Sequence, residues 1–153
     1  MRLLAFATVL NVAIAAFSPL FYALAGEAPG IAVAIALTLA VGSFGAAITP
    51  FVALVVVDDG QEVAEFVLIV LNGLILIVVF ASGHFALGFG DGSETAHGFS
   101  AALYFSTVTF TTLGYGDLLP SEDARALAAL QALFGYVYLG LLVGAASNLK
   151  DRR

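Results

Sequence analysis

Thr111-Thr112-Leu113-Gly114-Tyr115-Gly116-Asp117 sets two glycines at alternate positions inside a strongly apolar chain. Carbonyls of successive residues normally point in opposite directions. Turning a run of them to one side requires the backbone to alternate in conformation, and glycine takes positive φ without steric cost. Gly114 and Gly116 stand where that freedom is needed, and the Thr112 hydroxyl adds one more oxygen at one end of the row. A line of such oxygens can replace the water shell of a bare cation.

The segment before this stretch, Phe99 to Thr112, is apolar and about 14 residues long, too short to cross a bilayer, which takes about 20 helical residues. Around it lie four longer apolar stretches: Leu3 to Ala25, Ile31 to Val57, Val63 to about Phe85, and Ala124 to about Ser147. The spacing predicts an all-α membrane protein of four spans, with a re-entrant helix and loop between the last two. Non-helical backbone at membrane depth is tolerated only where it lines a watery cavity or is covered by protein. Composition agrees: of 153 residues, 61% are hydrophobic and 10% charged, with mean hydropathy +1.07. Soluble domains carry about a quarter charged residues. The absence of cysteine excludes a disulfide framework and a thiolate metal site. A net charge of −6 with only five Lys and Arg argues against nucleic acid as a partner.

The joints are short and polar. Gly26-Glu27-Ala28-Pro29-Gly30 and Asp58-Asp59-Gly60-Gln61-Glu62 connect the first three spans, and Gly88 to Gly98 forms a turret before the short helix. Asp58, Asp59 and Glu62 lack the spacing of an EF-hand loop. Ser121 is expected to cap the last helix, with Glu122 and Asp123 suiting its positive end. Pro19 and Pro50 fall inside spans and are expected to kink them. Asn11 and Asn72, also inside spans, are expected to find interhelical hydrogen bonds, and His84 and His97 to be turret or interface residues. Basic residues at both ends (Arg2; Lys150, Arg152 and Arg153) put both termini in the cytoplasm of a plasma-membrane protein. A rival reading of residues 1–25 is a signal peptide, with Ala23-Leu24-Ala25 before Gly26 as its cleavage site.

The run Ala102-Leu103-Tyr104-Phe105-Ser106-Thr107-Val108-Thr109-Phe110-Thr111-Thr112, followed by Leu113-Gly114-Tyr115-Gly116-Asp117, resembles the pore helix and selectivity filter of the potassium channel superfamily. Asp117-Leu118-Leu119-Pro120 resembles the filter exit, and Arg125 with Gly135 resembles the start and hinge of the inner helix. The resemblance covers residues 63–148 and is to prokaryotic two-helix pore domains. Residues 1–62 add two further spans, and 149–153 a short basic tail. It implies K+ bound by the carbonyls of Thr112, Leu113, Gly114 and Tyr115, with Gly116 completing the filter. Thr111, Tyr104, Phe105 and Asp117 are implied as its support, Tyr104 and Phe105 forming a cuff around Tyr115. Leu113 stands where the family usually has Val or Ile. Val108 stands where some members carry a glutamate that pairs with the aspartate, so the Tyr104 hydroxyl is the available substitute. Gly135, Gly140 and Gly144 are hinge candidates, the last two also at a spacing that permits close helix packing.

The resemblance implies a homotetramer, since one loop supplies one quarter of a ring, conducting K+ passively among membrane lipids. Glu27, Asp91, Glu94, Asp117, Glu122 and Asp123 would lie on the outer side and concentrate cations at the mouth. No Lys or Arg occurs between Arg2 and Arg125, so arginine-based voltage sensing is not expected. Six residues follow Ser147, so no fused ligand-binding module is expected. No cofactor and no enzymatic activity are expected, because no nucleophile, base and metal constellation occurs. The alternatives are a non-conducting or regulatory subunit of another channel, and a component of a coupled transporter.

Overall fold

The computed structural model describes residues 2–25, 28–56, 62–91 and 98–151. Glu27, Asp58, Asp59, Glu94 and His97 lie outside the described residues. Five helices follow in order: α1 (Arg2–Ala25), α2 (Pro29–Val56), α3 (Glu62–Leu87), α4 (Phe99–Phe110) and α5 (Arg125–Asp151). Two short strands flank α4 in sequence, β1 (Phe89–Gly90) and β2 (Leu119–Pro120). Among the described residues three helical stretches are long and apolar enough to cross a membrane, Gly30–Val52, Val63–Leu87 and Arg125–Ser147. Within α1 the apolar stretch is the shorter Phe6–Leu20. Pro19 and Pro50 lie inside α1 and α2.

Helix α3 is the hub, packing against α1, α2, α4 and α5, while α2 also reaches α5. Apolar residues from these helices share one core around Ile69, Leu76, Phe80, Phe110, Leu127 and Tyr138. Phe44 of α2 stacks on Phe134 of α5, ring centroids 3.9 Å apart. The N-terminal helices are therefore packed onto the same body as the short helix.

Polar contacts reinforce that packing. Asn11 Nδ2 donates to Asn72 Oδ1 at 2.7 Å, Ser43 Oγ donates to Asn11 Oδ1 at 2.8 Å, and Asn72 Nδ2 donates to Thr8 Oγ1 at 3.1 Å. All four side chains are buried, and they join α1, α2 and α3. In hydrocarbon no water can replace a lost partner, yet each interhelical bond contributes only about 0.6 kcal/mol on average. Replacing Asn72 with leucine removes two of these bonds and leaves Asn11 and Thr8 short of partners. The expected cost is about 1–2 kcal/mol, read as a lower midpoint in denaturation of the detergent-solubilised protein. An unchanged midpoint would contradict the network.

The connections around α4 are tighter than the sequence suggests. β1 pairs antiparallel with β2, Phe89 opposite Pro120 and Gly90 opposite Leu119. Proline is admissible there because a two-stranded ladder leaves each strand an open edge. The Ser121 amide donates to Gly88 O at 3.1 Å. Ser121 Oγ donates to Leu87 O at 2.7 Å and accepts from the Ala124 amide at 3.3 Å. Ser121 thus caps the turn leading into α5 and also ties it to the end of α3. The turret expected from Gly88 begins instead with this ladder. An exposed pair, Arg125 with Glu122 at 3.7 Å, contributes little in water.

Candidate ion-conducting site

Helix α4 ends two residues earlier than its apolar run, and the reason lies in its cap. The Leu113 amide donates to Val108 O at 3.0 Å, and the Thr112 amide to Thr109 O at 3.1 Å. With Thr111 as the C-cap, these are the paired bonds of a Schellman motif, which requires the residue after the cap to be left-handed. That residue is Thr112, with φ +59°. Positive φ then recurs at Gly114 (+57°) and Gly116 (+75°), while Leu113 and Tyr115 between them stay negative. Alternate residues over 112–116 therefore take opposite hands. Thr112 is the only described non-glycine residue with positive φ. For a β-branched side chain this is strained, and such strain is typical of functional segments.

The stretch is open in the single chain. Leu113 is 57% and Tyr115 66% exposed, and Thr112, Gly114, Gly116 and Asp117 are exposed as well. Its support comes from α4. The Tyr104 hydroxyl donates to Asp117 Oδ2 at 2.6 Å, and Asp117 Oδ1 accepts the Leu118 amide at 3.1 Å. Thr111 Oγ1 donates to Thr107 O at 2.8 Å, back into the helix. Phe105, expected beside Tyr104 in a cuff, is buried within the chain, whereas Tyr104 is exposed. The Phe105 ring is stacked on Phe89 at 5.7 Å and edge-on to His84 at 4.7 Å.

The bond to Asp117 raises the pKa of Tyr104 above its ordinary value of 10, because a phenolate would lose the donor and face the carboxylate. The sign is that of a group protonated in its bond: the contact is complete at neutral pH and is lost only as pH climbs through the raised value. Asp117→Asn is expected to let Tyr104 titrate earlier. Tyrosinate absorbance in the presence and absence of Tyr104→Phe isolates the signal, and an unmoved titration would show that the bond does not form.

The ion-channel family Ion_trans_2 matches residues 67–149, more than half of the chain, from α3 through the alternating segment to α5. The chain belongs to this family. Among similar proteins, potassium voltage-gated channel protein shk-1 of Caenorhabditis elegans is 35% identical over 84 residues, covering 54% of this chain and 16% of that one. Two pore potassium channel b of Oryza sativa subsp. japonica is 36% identical over 83 residues, 51% of this chain and 24% of that one. Protein LctB of Geobacillus stearothermophilus is 30% identical over 83 residues, 52% of this chain and 62% of that one. The matches span less than two thirds of the length of each of these relatives. No solved structure matches the chain.

In this ion-channel family member, α5 supports the end of α4 from behind. A Cβ at Gly135 would lie 1.9 Å from Phe110 O, so the two backbones touch where α4 gives way to Thr111. Gly135 is thus a contact glycine. Gly140 has nothing within 4 Å of a Cβ position and Gly144 only Phe51 at 3.9 Å, so neither makes a close helix approach within one chain. His84 is fully buried, which corrects its expected place in a turret or interface. Its Nε2 lies 2.8 Å from Gln131 Oε1, a residue that sequence reasoning passed over. The signal was available: Gln131 is the one amide in the apolar run from Ala126 to Ala146. Among the described residues no cluster of three or more His, Asp or Glu could hold a metal ion.

Proposed function

We propose that the protein is a potassium-selective channel, conducting K+ passively through a pore shared by four identical chains. The observation that carries this reading is the alternation of φ sign at Thr112, Gly114 and Gly116 in an exposed, non-helical stretch. Alternating hands turn successive carbonyls of Thr112, Leu113, Gly114 and Tyr115 to one side, where they would replace the hydration shell of K+, with the Thr112 hydroxyl as a further ligand. Non-helical backbone in a membrane chain needs protein or water against it, and the other three chains and the ion path would supply both. The potassium channels among its relatives support the choice of ion.

In this reading α1 to α3 and α5 are four spans, α4 is the re-entrant pore helix, and both termini are cytoplasmic in the plasma membrane. The C-terminal end of α4 offers partial negative charge to a hydrated cation below the filter. The lack of Lys or Arg between Arg2 and Arg125 leaves no arginine charge to sense voltage. The competing reading is a non-conducting subunit of another channel.

The deciding experiment is ion flux through the purified protein in liposomes, K+ against Na+, with barium as blocker. Selective, barium-sensitive K+ flux from a tetramer supports the proposal. A chain that stays monomeric and conducts nothing would support the subunit reading instead.

A further inference from the structure

Behind the pore helix runs a buried polar chain that the conduction pathway does not use. Gln131 Nε2 donates to Ser106 O at 2.9 Å and to Ser106 Oγ at 2.7 Å. Ser106 Oγ in turn donates to Ile77 O at 2.7 Å. With the Gln131 amide nitrogen committed to Ser106, its Oε1 is the acceptor facing His84, so His84 Nε2 carries the hydrogen of the 2.8 Å bond. His84, Ser106 and Gln131 are all fully buried. Three helices are joined in this way: α3 through Ile77 and His84, α4 through Ser106, and α5 through Gln131.

The placement of the Ser106 bond gives it a mechanical meaning. Ser106 and Phe110 are four residues apart on α4, hence on one face, and Gln131 and Gly135 are four apart on α5. Gln131 grips Ser106, and Gly135 abuts Phe110. These two contacts add to the packing of Phe105 on Phe89 and the bond from Ser106 to Ile77. Two contacts one turn apart on the side of α5 restrict both the rotation and the axial position of the pore helix. Val108, whose carbonyl anchors Leu113, lies between the two contacts, so any roll of the helix re-aims the left-handed Thr112.

We propose that His84 and Gln131 are positioning residues for the selectivity filter, locking the pore helix in the rotation that aims residues 112–116. Neither touches the permeant ion. His84 acts by holding the Gln131 amide in the one orientation that presents its donor to Ser106. An amide freed from His84 can turn over and present oxygen to the Ser106 carbonyl, which repels it. The inference rests on the channel reading, but its consequence for the backbone at Leu113 does not.

The test compares four variants in the intact protein: Gln131→Leu, His84→Leu, the double variant, and His84→Gln, whose amide can still donate to Gln131. Two readouts are taken, the K+/Na+ permeability ratio from reversal potentials and hydrogen exchange at the Leu113 amide. Each leucine variant is expected to lower the permeability ratio about tenfold, the reach of a strong interhelical bond, and to speed Leu113 exchange by a similar factor. His84→Gln is expected to keep both near wild type. The double variant is decisive because it removes both ends of the His84–Gln131 bond while Ser106 Oγ keeps Ile77 O, so it is expected to be more stable than either single leucine variant. A positioning role predicts that the double variant melts above either single leucine variant but stays as poorly selective and fast-exchanging as they are. Recovery of selectivity and exchange along with stability would overturn the proposal, as would leucine variants that fold and match wild type in both. If wild type itself shows no selective current, the channel reading fails, and Leu113 exchange alone decides the positioning claim either way.

Discussion

Gly135→Ala is expected to destabilise the protein by about 2 kcal/mol per chain and to abolish most K+ flux. Two effects oppose each other. Alanine is the better helix former, worth up to about 1 kcal/mol inside α5. Against this, the new methyl would sit 1.9 Å from Phe110 O, 2.8 Å from its carbonyl carbon and 3.0 Å from its Cα. These are backbone atoms at the end of α4 and cannot swing aside as a side chain can. Overpacking of this kind costs about 3 kcal/mol, so the clash wins. Relief requires α4 to back away from α5, which carries Thr111 and Thr112 with it. Thermal denaturation and liposome flux on the same preparation check both parts. The control is Gly140→Ala, where nothing lies within 4 Å and the helix gain is unopposed in the single chain. Wild-type melting and flux from Gly135→Ala would mean that the two helices do not touch.

Gly114→Ala is expected to behave oppositely, leaving the fold intact and removing conduction. At φ +57° a side chain costs about 1–2 kcal/mol. A Cβ there meets no atom of the chain within 4 Å, so no packing resists a change of backbone. The segment escapes the strain by returning Gly114 to negative φ, which turns its carbonyl out of the row. Because the stretch is exposed and packs on no core residue, the melting midpoint should stay close to wild type. Potassium flux should fall to the background of empty liposomes. Retained selective flux would show that the row of carbonyls does not depend on the hand of this residue. Together the two glycines separate packing from conduction: one variant loses both stability and flux, the other flux alone.

What the sequence makes legible here is what single residues encode locally. Gly114 and Gly116 announce positive φ because only glycine takes it freely, and the apolar lengths announce the helices. Thr112 could not be read the same way, because its hand is imposed by the cap that ends α4 and not by its own preference. Phe105 gave no sign of which side of α4 it faces, since an apolar run of 12 residues is hydrophobic all round. The ladder of Phe89 and Gly90 with Leu119 and Pro120 has no strand-like pattern, being two residues deep. The bonds from Gln131 to Ser106 and to His84 span 25 and 47 positions, so no local pattern could pair them. Tyr104 with Asp117 was foreseen through the absence of an acid at Val108, a case where chemistry narrowed the choice of partner.

The stretch from Leu113 to Leu118 is moored at both ends. At its N-terminal end the Leu113 and Gly114 amides hold the Val108 carbonyl. Past its C-terminal end Leu119 and Pro120 are laced to Gly90 and Phe89, and Ser121 is knotted to Leu87 and Gly88. Both moorings belong to the frame built by α3, α4, the β1–β2 ladder and the turn into α5. The positions of the two ends of the stretch are therefore set by the frame. The frame thus acts as a gauge: it sets where the stretch begins and ends, while the residues between dictate where each carbonyl points.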